Sequence, residues 1–91
     1  MYNLVISPKA RQDYNNIYDW YDKQRPGLGS EFFDALKLGF DKLRVHPENY
    51  MAISQHRRRL KLDRFPYILI FRINLAEVRI LSIKHTSRVK K

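Results

Sequence analysis

The spacing of the apolar residues changes once along this chain, near Pro47, and no other feature restricts the fold as strongly. Before Pro47 the apolar side chains recur every three or four residues, as they do on one face of an α-helix. After it the period shortens towards two residues, which is the period of a β-strand. A chain of 91 residues has room for one hydrophobic core. We therefore expect a single α+β domain over residues 1–91, in which helices and sheet pack on each other.

The first half predicts a short strand followed by a helix. Alternating apolar residues form the strand from Tyr2 to Ile6. Ser7 and Pro8 then signal a helix start, because the serine hydroxyl can accept a free backbone amide and proline needs no such donor at the first helical position. This helix should run to about Lys23. Its core-facing stripe consists of Ala10, Tyr14, Ile17, Tyr18 and Tyr21.

A second helix is predicted after a loop in residues 24–29, where helix breakers are concentrated. It should start at Gly29 or Ser30 and end at His46-Pro47, because proline cannot continue a helix. Two consecutive helices joined by a short loop are expected to lie antiparallel. The apolar stripe of the second helix consists of Phe32, Phe33, Leu36, Phe40 and Leu43.

The second half predicts the rest of the sheet. Strands are expected at residues 57–62, 65–73 and 78–84, a further short strand can form at residues 50–53, and residues 86–91 form a basic tail. The middle strand is apolar on both faces, as expected for a central strand, with Pro66 at its start.

A tight turn at Asn74-Leu75 sets the expected register of the last two strands. It places Arg72 opposite Glu77 as a cross-strand ion pair. The other expected pairs are Phe71 with Val78, Leu69 with Ile80 and Tyr67 with Ser82. The element order is then β-α-α-β-β-β, with a helical hairpin packed on one face of a small, mainly antiparallel sheet. The opposite face carries arginines and is open for function.

Positive charge is concentrated in the second half. Residues 1–48 contain seven basic and seven acidic side chains, whereas residues 49–91 contain eleven basic and two acidic ones. The net charge of +9 therefore comes from the sheet-forming half. Such a one-sided field favours the binding of an anionic partner.

The residues expected to bind this partner lie in and around the strands. Alternation on a strand spaces Arg57, Arg59 and Lys61 at steps of about 6.7 Å, which suits successive phosphates or carboxylates. An alternative explanation is an exposed edge strand made basic to prevent sheet-to-sheet aggregation. The full candidate set for the anionic partner is Arg57, Arg58, Arg59, Lys61, Arg64, Arg72, Arg79, Lys84 and Arg88.

Other chemistries have little support. The histidines His46, His56 and His85 are far apart and the chain has no cysteine, so no metal site is expected. There is no glycine-rich phosphate loop and no nucleophile elbow, so neither a cofactor nor acyl transfer is expected. The N-terminus has no signal-peptide pattern, and no apolar run is long enough to cross a membrane. We therefore expect a cytoplasmic protein.

His85 supports a catalytic alternative. It follows the last strand and is flanked by Lys84 and Arg88, so it can exchange a proton near a bound phosphate. Metal-free RNA cleavage needs a base, an acid and a cation. In this alternative His85 exchanges the proton, and the cations are Arg59, Lys61 and Arg88. A histidine at a strand end can equally be a hydrogen-bonding structural residue, so both explanations stay open.

Seven short motifs lie in a specific order along the chain. They are Ser7-Pro8-Lys9-Ala10, Arg25-Pro26-Gly27-Leu28-Gly29, Pro47-Glu48-Asn49-Tyr50, Arg58-Arg59-Leu60, Phe65-Pro66-Tyr67, Ile80-Leu81-Ser82-Ile83 and His85-Thr86-Ser87-Arg88. In their order and spacing they resemble the RelE/ParE superfamily of small toxins from bacterial toxin-antitoxin operons. The resemblance spans nearly the whole chain.

The resemblance implies a β-α-α-β-β-β fold and a cytoplasmic, growth-inhibiting toxin. It also implies a cognate antitoxin whose C-terminal segment wraps around the toxin and neutralises it. Two mechanisms compete within the superfamily. RelE-like members cleave mRNA in the ribosome, whereas ParE-like members poison DNA gyrase and are not nucleases.

Two departures from the RelE pattern make the chain more similar to the ParE branch. RelE-like members carry an arginine in the central strand, one residue after an aromatic or a histidine, and here the residue after Tyr67 is Ile68. They also have arginine or tyrosine at tail positions that Thr86, Ser87 and Val89 occupy in this chain. The resemblance thus favours a gyrase-binding toxin. The alternatives are a ribosome-dependent mRNA endoribonuclease that uses His85 and a non-toxic binding module of the same fold.

Overall fold

The computed structural model describes residues 1–88, which form two helices and four strands. The elements are β1 Asn3–Ile6, α1 Pro8–Gln24, α2 Leu28–Val45, β2 Arg58–Lys61, β3 Tyr67–Asn74 and β4 Glu77–His85. Short 3-10 turns span Pro47–Asn49 and Thr86–Arg88. The predicted α+β class and the order β-α-α-β-β-β are confirmed. Residues 89–91 of the predicted basic tail lie outside the described residues.

The strands form one sheet in the order β1-β4-β3-β2. β1 runs parallel to β4 and the other two pairs are antiparallel, so the sheet is mainly antiparallel, as predicted. Both helices pack on the same face of this sheet, and the core lies between the two layers. The largest fully buried core side chains are Phe32, Leu36, Leu43, Leu62, Leu69, Phe71, Val78 and Ile80.

α1 begins where the sequence predicts. The Ser7 hydroxyl oxygen accepts a hydrogen bond from the Ala10 backbone amide at 3.0 Å, and Pro8 occupies the first turn. The same hydroxyl donates to the Leu81 carbonyl oxygen at 3.0 Å. Ser7 therefore caps the helix and also fixes its first turn to β4.

α2 begins at Leu28, slightly earlier than predicted, because a side chain of α1 caps it. Gly27 precedes the helix with a φ of 91°, a left-handed conformation that glycine adopts without strain. The Asp22 carboxylate accepts the backbone amides of Gly27 and Gly29 at 3.0 and 3.2 Å. These contacts satisfy amide donors that a local serine would otherwise cap.

Gly29 lies against α1, and we expect Gly29→Ala to destabilise the protein. A methyl group here would lie 2.8 Å from the Tyr18 carbonyl oxygen, a backbone atom that cannot rotate away. Overpacking of this kind lowers the free energy of unfolding by about 1–3 kcal/mol, which chemical denaturation measures. Gly39→Ala is the matched control, because its nearest neighbour is a flexible Leu62 methyl group at 3.0 Å. Equal losses in both variants would contradict this explanation.

The β3–β4 hairpin differs from the prediction at its turn. Residues 75 and 76 form the turn, so Arg72 pairs with Arg79 rather than with Glu77. The predicted turn is therefore wrong by one residue, and the predicted ion pair between Arg72 and Glu77 is wrong with it. Leu75 adopts a positive φ of 56° here, a conformation that its residue type gives no reason to expect.

A β-bulge at Leu81 accounts for the rest of the difference. Phe71 pairs with Ile80 whereas Ile70 pairs with Ser82, so Leu81 has no partner on β3. The extra residue shifts the alternation of β4, so that even-numbered side chains face the core before the bulge and odd-numbered ones after it. The pairs predicted wrongly are Phe71 with Val78, Leu69 with Ile80 and Tyr67 with Ser82.

Residues 50–53 do not form the short strand that their sequence allowed. Within residues 1–88 their ladder pairing is limited to a single bridge between Ala52 and Arg58. The chain turns back at once, because the Ile53 amide donates to the Arg57 carbonyl oxygen at 2.9 Å. β2 consequently covers residues 58–61 instead of 57–62.

Neither helix of residues 1–88 combines the length and the apolar character that crossing a membrane requires. In the same part of the chain, no three histidine, aspartate or glutamate side chains lie close enough together to hold a metal ion.

Candidate functional surface

Five basic side chains project from the face of the sheet opposite the helices. Along β3, Leu69 and Phe71 belong to the core on the helix side, so the residues that alternate with them face the other way. The strand pairing extends this assignment to β2 and β4. The basic residues on this side, which we call the cationic face, are Arg59 and Lys61 of β2, Arg72 of β3, and Arg79 and Lys84 of β4.

The layout of the cationic face follows the register. Lys61 and Lys84 flank Ile68 from the two neighbouring strands, which places their Cα atoms about 9.6 Å apart. Arg72 and Arg79 are direct cross-strand partners. Like charges placed opposite each other destabilise a sheet, and an anion bound between the two guanidinium groups would relieve the repulsion.

Ion pairs are concentrated away from this face. Residues 1–88 contain seven ion pairs, and six of them involve the helices or their loops. These six are Lys9–Asp13, Arg25–Glu31, Lys37–Asp34, Lys42–Asp63, Arg44–Asp41 and Arg64–Glu31. Arg79 alone on the cationic face has a carboxylate partner in the described chain, Glu77 at 3.2 Å. The helical layer is thus neutralised internally, while the sheet face keeps its positive charge.

The sheet order bears on the alternative explanation for these cations. A basic edge that prevents aggregation explains Arg59 and Lys61, because β2 is an edge strand. β3 has strands on both sides, and β4 has β1 beside it as far as Ile80. Protection of an edge therefore does not explain Arg72 or Arg79.

A cleft of about 520 Å³ opens on the cationic face beside β2. It is lined by Arg59, Lys61 and Ile68, together with Met51. The Arg59 guanidinium lies 3.3 Å from the Met51 sulfur, and the Lys61 ammonium donates to the Leu62 carbonyl oxygen at 3.1 Å. Ile68 is only 6 % exposed, but Met51 is 61 % exposed and Tyr50 also lines the cleft, so a ligand there would meet these two side chains as well as the basic ones.

Two residues of the predicted binding set, Arg57 and Arg58, lie off the cationic face. The Arg58 guanidinium donates to the Tyr50 and Glu48 carbonyl oxygens at 2.8 and 3.2 Å, and so holds the segment that follows α2. Arg57 lies in the loop before β2, where it lines a different cleft together with His56. Arg57 is therefore not grouped with Arg59 and Lys61 as alternation had suggested, whereas alternation had assigned Arg58 to the opposite face, where the register places it.

Arg64 lies on the helix side and forms a bridge to the helical connector. Its guanidinium donates to Glu31 at 2.8 Å, and Arg25 donates to the other oxygen of the same carboxylate at 2.9 Å. Hydrogen bonds from Arg64 and then Arg25 hold the pKa of Glu31 below its usual range. No local pattern indicates this cluster, because Arg64 lies 33 residues from Glu31 along the chain.

We expect Glu31 to contribute to the acid sensitivity of the protein. A carboxyl group whose pKa is lowered by folding stabilises the folded state above its unfolded pKa, about 4.3 for Glu, and loses that effect as the pH falls through the folded pKa. The free energy of unfolding of the wild type should therefore fall more steeply below about pH 5 than that of Glu31→Gln. Urea denaturation at a series of pH values measures both slopes. Asp34→Asn, an exposed carboxylate on the same helix, is the control, and identical slopes for wild type and Glu31→Gln would contradict the prediction.

His85 lies at the end of β4 on the side that faces the helices. It pairs with Tyr67, and the two rings meet edge to face with their centroids 5.2 Å apart. Its Nδ1 atom accepts the Ser87 backbone amide at 3.1 Å and lies 2.9 Å from the Ser87 hydroxyl. Nδ1 is therefore occupied within the chain, and Nε2 is the nitrogen that can meet a ligand.

The residues of the nuclease alternative are divided between two places. His85 and Arg88 line a cleft of about 600 Å³ between α1 and the end of β4. Arg59 and Lys61 line the separate cleft on the cationic face. The proton-transfer residue and these two cations thus lie on opposite sides of the sheet.

Asp13 has a role that the spacing of residues did not indicate. Its carboxylate accepts the Ile83 backbone amide at 2.9 Å and the Lys9 ammonium at 2.6 Å, and its side chain is 13 % exposed. β1 pairs with β4 only as far as Ile80, so the β4 edge beyond the bulge has no strand beside it. Asp13 replaces the missing strand partner. A polar residue beside the apolar stripe of a helix carries no sign of such a contact.

The structure has the β-α-α-β-β-β fold that the resemblance to the RelE/ParE class of toxins implied. A helical hairpin covers one face of the four-stranded sheet, and cations lie on the other. The chain belongs to the ParE toxin family, because the model described as "ParE toxin of type II toxin-antitoxin system, parDE" matches residues 4–90. The predicted resemblance to the ParE branch is confirmed. Membership implies a cognate antitoxin as partner.

A solved structure supports the same assignment. It is described as "Chromosomal ParDE TA system from P. aeruginosa" and is 25 % identical in sequence, with a TM-score of 0.82. The similarity covers 93 % of this chain and 96 % of that one. No curated protein matches the sequence significantly.

Proposed function

We propose that this ParE-type toxin arrests growth by binding to DNA gyrase and has no catalytic step of its own. The observation that carries the proposal is the separation of His85 from Arg59 and Lys61, which line different clefts. Metal-free cleavage of RNA needs a base, an acid and a cation around one phosphate. The cleft of His85 contains cations in Arg88 and Lys84, but its carboxylate, Asp13, is already bound to the Ile83 amide and to Lys9. A toxin that acts by occupying the surface of its target has no such requirement.

The surroundings of Ile68 support the same proposal. RelE-like toxins carry an arginine at this position of the central strand. Here the side chain is buried between Lys61 and Lys84 and supplies no charge. The flanking lysines can bind an anion. His85 shares a cleft with Lys84 on the helix side of the sheet, and His56 lines a cleft with Arg72 rather than with these lysines.

The antitoxin is proposed to neutralise the toxin through a C-terminal segment that wraps around it. An amphipathic segment needs apolar anchors, and the exposed side chains of Leu38 and Val45, seven residues apart on α2, offer them outside the cationic face. Arg57 and Arg88 of the predicted binding set are the cations that we propose for acidic residues of the segment. We propose the cytoplasm as the compartment.

Co-expression of the neighbouring small gene should relieve growth arrest. Persistent arrest would count against the pairing of this toxin with that antitoxin.

Two assays with the purified protein test the proposed target. One follows supercoiling of relaxed plasmid by gyrase, and the other maps the ends of a reporter mRNA during translation. We expect inhibited supercoiling and intact mRNA. His85→Ala should inhibit as the wild type does, and so should the control His56→Ala.

Three results would overturn the gyrase proposal. Site-specific mRNA cuts that disappear in His85→Ala but persist in His56→Ala would establish the endoribonuclease alternative. Absence of any effect in both assays and on growth would establish the non-toxic binding module. Growth arrest without an effect in either assay would require a different target.

A further inference from the structure

Four cations of the cationic face, Arg59, Lys61, Arg72 and Lys84, have no carboxylate partner within residues 1–88. They are spread across three strands rather than gathered at one point. Lys61 and Lys84 are about 9.6 Å apart across the strands, and the row of Arg72 lies about 13 Å further along β3. A single phosphate or carboxylate cannot meet them all. The ligand that fits must present several negative charges over a comparable area.

The floor of the cationic face argues against an acidic protein segment as this ligand. Ile68 and Ile70 lie between the cations but are only 6 % and 3 % exposed, and Ser82 is buried beside them. Binding between proteins depends largely on apolar or aromatic side chains that enter pockets on the partner. This floor offers almost no apolar surface to receive them. A ligand whose own outer surface is a row of charges is the better match.

The composition of the face also argues against single-stranded nucleic acid. Unpaired bases bind mainly by stacking on exposed aromatic rings. In the described chain Tyr67 packs against the core, and Trp20 lies on α1. Tyr50 lines the cleft beside β2 but is partly buried against the core, so this side of the sheet lacks the row of exposed rings on which successive bases would stack. In a DNA duplex the bases are already stacked and the phosphates form the outer surface.

We propose that the cationic face binds the phosphate backbone of duplex DNA without reading its sequence. Arg59 and Arg72 can each make paired hydrogen bonds to a phosphate, and Lys61 and Lys84 act as point charges. A phosphate beside Arg72 also relieves its repulsion with Arg79. This contact belongs to the toxin alone and does not depend on gyrase as its target.

Fluorescence anisotropy with a short labelled duplex of mixed sequence tests the proposal. Four phosphate contacts predict a plot of log K against log salt with a slope of about −3.6, which is a loss of about 10² in affinity between 50 and 200 mM salt. The triple variant Lys61→Gln, Arg72→Gln, Lys84→Gln removes three contacts and should lower the slope to about −0.9. Far-UV circular dichroism checks that the variant is folded.

A matched control separates this face from overall charge. The control is a second triple variant, Arg11→Gln, Lys23→Gln, Lys37→Gln. It removes an equal number of positive charges from exposed positions on the helices and should keep the wild-type slope. Equal losses in the two triple variants would overturn the proposal, because net charge rather than this face would then bind DNA. Affinity that does not respond to salt would overturn it too.

Competition with other polyanions tests the choice of ligand. Duplex DNA should displace the labelled duplex at lower concentration than single-stranded DNA, duplex RNA or polyglutamate. Tighter binding of any of these three would overturn the assignment to duplex DNA. The supercoiling assay is read separately, since a face variant that loses DNA binding but still inhibits gyrase leaves the gyrase proposal intact.

Discussion

Phe32→Ala is expected to lower the free energy of unfolding by about 3–5 kcal/mol. Phe32 is fully buried, and its ring centroid lies 5.8, 5.5 and 5.7 Å from those of Tyr21, Phe65 and Tyr67. Alanine would leave a cavity where α2, α1 and the start of β3 meet. Domains of this size are stable by roughly 5–10 kcal/mol, so the variant would retain only a small margin. Urea denaturation followed by circular dichroism measures the loss.

The neighbouring Phe33 provides the control for this substitution. It is only partly buried, and its ring is 6.0 Å from that of Tyr14 and 5.2 Å from the Lys37 ammonium. Phe33→Ala removes the same atoms from a site that water can fill, so its cost should be clearly smaller. Similar costs for the two alanine variants would show that the aromatic cluster around Phe32 is not the main source of helix-to-sheet stability.

Asp13→Ala is expected to cost about 1.5–3 kcal/mol, because it leaves the Ile83 amide without a partner at a mostly buried position. Thermal and chemical unfolding measure the change. Asp19→Ala removes an exposed carboxylate from the same helix and should cost much less. Asp13→Asn keeps an acceptor oxygen, and its cost should lie between the two. A loss in Asp13→Ala no larger than in Asp19→Ala would mean that the β4 edge does not need this acceptor.

The helical half of the fold could be predicted because its signals are local. The Ser7-Pro8 start and the apolar stripes of both helices depend on residues three or four positions apart, and the structure has them where they were expected. The start of α2 was missed because its cap comes from Asp22, a residue on the other helix. Contacts of that kind leave no pattern in a short stretch of sequence.

The hairpin register could not be predicted, although both of its strands were. Alternation shows which residues share a face only while the strand is regular, and the bulge at Leu81 breaks that regularity. The left-handed conformation of Leu75 moved the turn by one residue. Glycine and asparagine are the residue types that indicate such a conformation, and neither occupies this position. Two local departures were therefore enough to change every pair in the hairpin.

The candidate surface also combines features that local sequence patterns predicted with features that depend on tertiary contacts. Alternation placed Arg59 and Lys61 together on one face, and the structure does so as well. Arg58 and Arg64 belonged to the same basic run, yet they hold backbone carbonyl groups and Glu31 elsewhere. Charge counted along the sequence gives the sign of a surface, whereas tertiary hydrogen bonds decide which arginines take part in it.

The unequal neutralisation of the two layers makes the molecule an electric dipole across its thickness. Its helical layer is balanced by internal ion pairs, whereas Arg59, Lys61, Arg72 and Lys84 on the far side of the sheet have no carboxylate partner within residues 1–88. Near a polyanion, such a dipole experiences a torque that turns the cationic face towards the polyanion before the two surfaces touch. Productive encounters then need little rotational search, and this alignment acts only within a Debye length of about 8 Å at physiological ionic strength.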